Sequence, residues 1–137
     1  MAATVDTLPP VAVEDHTYPD AAGIQATKGI LLKKGDGHVL LATCDQSRNQ
    51  VRVLTVADSS VGRDGTYCFE ATATGGWLTL ELPRVFALET SDRPISADLT
   101  ANGETKTVEV PKDTLEPVGE GEVDGPRSVL VEIRITG

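Results

Sequence analysis

The stretch TYCFEATATGGWLTLELP, residues 66–83, carries two glutamates, a cysteine and the only tryptophan of the chain. Read as two strands closed by Gly75-Gly76, it sets Glu70 directly opposite Glu81, with Cβ atoms roughly 4.5–5.5 Å apart. Like charges so placed destabilise a sheet unless something uses them. A bound cation would, and so would a carboxylate pair of the kind that cleaves glycosidic bonds. Splayed into water, where screening keeps repulsion small, the two would be ordinary surface residues. The same register faces Phe69 with Leu82, Ala71 with Leu80 and Ala73 with Leu78. Trp77 then lies on the outer face with Thr74, Thr72 and Thr79. There it is a stacking platform for a sugar or an anchor for a protein partner, or it is covered by the N-terminal segment.

Other residues with chemical potential are more scattered. Cys44 and Cys68 admit one disulfide, which would stabilise by about 3.5 kcal/mol through loop closure. With no closely spaced His or Cys pairs, they do not read as a zinc site. Glu120, Glu122 and Asp124 alternate in the loop GEGEVDG, and calcium takes oxygen ligands of this type. They lack the glycine-bearing twelve-residue calcium loop with its terminal glutamate, so calcium is the only cofactor the residues admit, and only weakly. His16 lies among Glu14, Asp15 and Asp20, and His38 follows a Gly-Asp-Gly turn; both read as solvated. The chain has no Gly-x-Ser-x-Gly elbow and no phosphate-binding loop.

These residues must be positioned by strands. Apolar residues at helical spacing are not sustained over three turns anywhere, whereas period-two alternation recurs from residue 24 to the C-terminus. In ISADLTANGETKTVEV, Asn102-Gly103 is the favoured two-residue hairpin turn. It places Ile95 opposite Val110, Ala97 opposite Val108 and Leu99 opposite Lys106. Ser96, Asp98, Thr107 and Glu109 fall together on the other, polar face. IQATKGILLKKGDGHVLLATCD reads as two strands joined near Gly-Asp-Gly, QVRVLTVAD and RVFALETS as one each, and SVLVEIRIT as the last. The segment 117–128 is a loop. The expected fold is an antiparallel β-sandwich of about eight to nine strands, with a small closed barrel as the alternative. Residues 1–23 are expected to form an arm and residues 24–137 a single β domain.

Composition limits the partners. With 12 basic residues against 21 acidic ones, the net charge is −9. The basic residues are scattered, so nucleic acid and anionic membranes are not expected as partners. Much Ala, Val, Thr and Gly with little Lys, Ile or Asn suggests a GC-rich bacterial genome. The N-terminus lacks the charged and apolar regions of a signal peptide. An extracellular protein whose leader was removed is favoured over a cytoplasmic one. The expected function is a non-enzymatic binding or protein-interaction module. A carbohydrate- or calcium-binding accessory domain is one alternative, and a small β-barrel enzyme with an apolar cavity, built on Glu70, Glu81 and His38, is another.

Overall fold

The computed structural model describes residues 16–137, so the expectation for residues 1–15 lies outside the described residues. Among the described residues, ten strands form two five-stranded antiparallel sheets that pack face to face and do not close into a barrel. A helix, α1 (Ala21–Lys28), leads into β1 (Leu31–Gly35), β2 (Val39–Ala42) and β3 (Gln50–Thr55). There follow β4 (Thr66–Ala71), β5 (Trp77–Pro83), β6 (Val85–Glu89), β7 (Ile95–Ala101), β8 (Glu104–Val110), β9 (Leu115–Pro117) and β10 (Val129–Ile135). The front sheet has the order β1-β5-β10-β7-β8 and the back sheet β2-β4-β3-β6-β9. The short β9, at the start of the expected late loop, is the strand that alternation alone did not indicate.

The core lies between the sheets. Leu78, Leu80 and Leu82 of β5 and Leu130, Ile133 and Ile135 of β10 line it from the front. Val51 and Val53 of β3, Tyr67 and Phe69 of β4 and Leu88 of β6 line it from the back. Each fully buried leucine or isoleucine contributes roughly 1.5–3 kcal/mol of transfer free energy.

The hairpin of β7 and β8 has the expected register, from Ile95↔Val110 to Thr100↔Thr105. Asn102 and Gly103 both have positive φ, 54° and 80°, as a type I′ turn requires. The other expected hairpin does not form. Strand β4 pairs with β2 and β3, and β5 pairs with β1 and β10, so Glu70 and Glu81 are in different sheets. Gly75 donates to Ile135 and Gly76 accepts from it, so the glycine pair joins the end of β10 while the chain crosses between sheets. The apolar rows of β4 and β5 do face one core, but across the sandwich. Alternation marks which face of a strand is buried and says nothing about which strand lies beside it.

The α1 helix also departs from expectation, since IQATK was read as the start of a strand. It has only two turns and none of its residues is fully buried, so no sustained helical period marks it. It ends at Gly29, where φ is 70° and an added Cβ would lie 2.4 Å from the Gly62 carbonyl oxygen; only glycine fits there. The Tyr67 hydroxyl donates to the Lys28 carbonyl and accepts from the Asp64 N–H, fixing the helix end to β4.

Before the helix, residues 16–18 run along the edge of β1, and the Tyr18 side chain reaches the edge of the other sheet. Tyr18 N–H donates to Lys33 O and Gly35 N–H to His16 O, extending the front sheet beyond β1. The buried Tyr18 hydroxyl accepts the Leu41 N–H at 2.8 Å, capping the edge of β2. Exposed strand edges invite pairing with other chains, and this segment blunts two of them. At the opposite edge, the exposed Lys106 of β8 stands opposite Leu99, and a charge on an edge strand discourages further strand addition.

Candidate binding face on the front sheet

The two outer faces of the sandwich differ. On the back sheet, Gln50 and Cys68 point away from the core by alternation with Val51, Val53, Tyr67 and Phe69, yet they are 3% and 0% exposed. The loop 43–49 covers them. The disulfide between Cys44 and Cys68 fastens it, as the two cysteines allowed. Gln50 adds a donor to Thr43 O and an acceptor for Asp45 N–H. Arg48 then pairs with Asp92 and Asp113 at the loops beyond.

The front face is left open by the described residues and is ordered by register. One cross-strand row runs Trp77–Arg134–Ser96–Glu109 over β5, β10, β7 and β8. The next runs Thr79–Glu132–Asp98–Thr107. Glu132 and Arg134 share this side by alternation, and a bulge between Leu130 and Glu132 lets Leu130 and Ile133 both face the core. Arg134 holds the grid together. Its guanidinium donates to both oxygens of Asp98 and to Ser96 Oγ at 2.9 Å, and lies 3.2 Å from Glu132. Ser96, itself 5% exposed, donates to Glu109 at 3.0 Å, and Thr107 donates to Asp98 at 2.7 Å. The first row, with Thr79 and Glu132 of the second, floors a shallow depression of about 680 Å³.

Trp77 stands at the end of the first row, half-buried, with the ring of His16 edge-on at 5.7 Å. The segment before α1 therefore supports the indole without enclosing it. The backbone N–H of Trp77 donates to Asp36, which also caps His38 N–H, so the Gly-Asp-Gly turn fixes the start of β5. His38 itself is exposed and its Nδ1 lies 3.0 Å from the Thr72 hydroxyl.

The other candidate residues do not converge. Glu81 pairs with Lys33 at 3.0 Å on the front sheet. Glu70 accepts from Asn49 on the back sheet. Glu120 forms a two-bond pair with Arg84, at 2.7 and 3.1 Å, while Glu122 and Asp124 are exposed. Among the described residues, no three His, Cys, Asp or Glu side chains gather as a metal site requires. A second concavity of about 430 Å³ lies between α1, the end of β2 and β4, beside the disulfide. No charged side chain is fully buried among the described residues.

Arg134 and Glu132 are the front-face residues that sequence reasoning missed. Their alternation in VLVEIRI places them on one face, but only the placement of β10 between β5 and β7 brings them to Trp77 and Asp98. Comparison with protein-family models and with curated proteins finds no match to the chain.

The grid has a consequence in acid. Hydrogen bonds from Arg134 hold Asp98 below its ordinary pKa of 3.8, and those from Arg84 hold Glu120 below 4.5. A carboxylate with a depressed folded-state pKa binds fewer protons folded than unfolded. Its stabilisation is thus complete above the ordinary value and is lost as pH falls through the folded one. Urea midpoints are therefore expected to fall steeply from pH 4.5 downward, and Asp98→Asn to flatten that slope. An unchanged slope in Asp98→Asn would show that the Arg134–Asp98 pair contributes nothing to it.

Proposed function

We propose that the protein is a non-catalytic binding module that engages its partner through the outer face of the front sheet. The observation that carries this reading is the contrast between the two faces. The centre of the back one, at Gln50 and Cys68, is covered by a loop held by a disulfide, and the front one presents fixed polar side chains and a half-buried tryptophan. Side chains already held in place lose little further freedom on binding, which favours affinity for a given contact area. The disulfide suits an oxidising compartment, in keeping with a partner met outside the cytosol.

The test compares two single substitutions at exposed positions on opposite faces. Thr107→Arg places a bulky charge on the front face and Leu115→Arg does so on the back. Each protein is immobilised and offered mixtures of soluble polysaccharides and of proteins. Retention by the parent that is lost in Thr107→Arg and kept in Leu115→Arg is expected. Loss in Leu115→Arg alone, equal retention by all three, or no retention by the parent would overturn the reading.

A further inference from the structure

The front face has a chemistry that narrows its partner, given that it is the binding face. We propose that its ligand is a neutral, linear oligosaccharide, one sugar ring stacking on Trp77 and its neighbours hydrogen-bonding along the row toward Glu109 and Thr107.

Charge is the first argument. The row and its neighbour hold one guanidinium and three carboxylates, Glu109, Glu132 and Asp98, and the protein around them has a net charge of −9. Nucleic acids, sulfated glycans and polyuronates would meet repulsion here, because binding them draws on clustered unpaired cations. Arg134 is the only cation of the two rows, and it is already engaged by Asp98 and Glu132. A strongly cationic peptide fits no better. Arg134 offsets only one of the three negative charges, but it pairs with both Asp98 and Glu132. Such a peptide would find Glu109 alone without a cation beside it among the described residues, with Arg134 repelling it. An uncharged ligand is not repelled by either sign.

The second argument is the pattern of donors and acceptors. A sugar offers hydroxyls, each both donor and acceptor, around a ring with apolar C–H faces. The front face offers matching partners in fixed positions. Glu109 uses one carboxylate oxygen on Ser96, and its other oxygen carries no hydrogen bond among the described residues. The Thr107 hydroxyl on the same strand retains acceptor capacity, and so does the Thr79 hydroxyl on the Trp77 strand, which accepts the Lys34 N–H and keeps a second lone pair. A half-exposed indole at the end of the row supplies an apolar plane with one polar edge. Neighbouring strands lie about 4.8 Å apart, so the four strands from β5 to β8 span about 14 Å. That is the reach of an oligosaccharide rather than a single sugar.

The experiment is an amide-shift titration of the isotopically labelled full chain. The probes are linear oligomers of glucose, xylose, mannose and N-acetylglucosamine, a heparin-derived oligosaccharide, and a lysine-rich peptide, each at millimolar concentration. At least one neutral oligomer is expected to shift amides of β5, β10, β7 and β8 together with the Trp77 indole N–H. Trp77→Ala should weaken that binding about tenfold, and Glu109→Ala, at an exposed position with little bearing on folding, should weaken it severalfold. If only the heparin fragment or the lysine-rich peptide moves this face, the ligand class is overturned and the binding face stands. If neutral oligomers bind elsewhere, or no probe moves the front face, the proposal is overturned; in the former case the face fails with it.

Discussion

Phe69→Ala is expected to destabilise the protein by about 4 kcal/mol, within the range for removing a buried aromatic side chain. Phe69 is fully buried on β4, opposite Leu41 on one side and Val51 on the other, with its ring in the core between the sheets. Its removal loses the transfer free energy of the ring and leaves a cavity that two hydrogen-bonded sheets cannot collapse to fill. Leu54 on β3 points away from this core and is half-buried, so Leu54→Ala should cost far less. Urea unfolding of both variants decides the matter. A loss below about 1 kcal/mol in Phe69→Ala would mean that the core packs differently from the arrangement described.

Removing the Cys44–Cys68 disulfide is expected to have the next largest effect, about 3.5 kcal/mol from the chain-entropy relation. The bond spans a sequence separation of 24 and joins the start of the loop 43–49 to the outer side of β4. Without it, Cys68 keeps its strand pairing with Ala42 and Arg52, because those hydrogen bonds do not depend on the sulfur. The loop retains the Gln50 side-chain bonds and the exposed Arg48 pairs. Exposed pairs of that sort contribute at most about 1 kcal/mol each. The Cys44→Ser/Cys68→Ala double variant should therefore unfold at markedly lower urea, and amide exchange should rise first in residues 43–49. A double variant as stable as the parent would show that Gln50 and Arg48 hold the loop unaided.

The two effects differ in where they act. Phe69→Ala removes contacts of the native state, whereas the disulfide acts mainly by restricting the unfolded chain. Thermal and chemical denaturation separate them, since the double variant exposes a less compact unfolded ensemble and should show a larger denaturant slope.

The sequence by itself determined the all-β class, the β7–β8 hairpin to the residue and the polar face it carries. Those features are local. Asn102-Gly103 dictates a two-residue turn, and the turn then dictates every pair from Ala101↔Glu104 to Ile95↔Val110. The pairing of Cys44 with Cys68 was legible as well, because only two cysteines exist to be joined. Only the tertiary structure decided that β4 and β5 belong to different sheets. Gly75-Gly76 is as compatible with a crossing between sheets as with a tight turn, and the apolar rows match in either arrangement. The same ambiguity set Glu70 against Glu81 on paper. The front face depended on an event no local pattern encodes, the insertion of β10 between β5 and β7. Strands far apart in sequence become neighbours through burial of a shared core, which is non-directional and leaves no periodic mark on the residues that end up side by side. Arg134 reaches Asp98 and Trp77 for that reason alone.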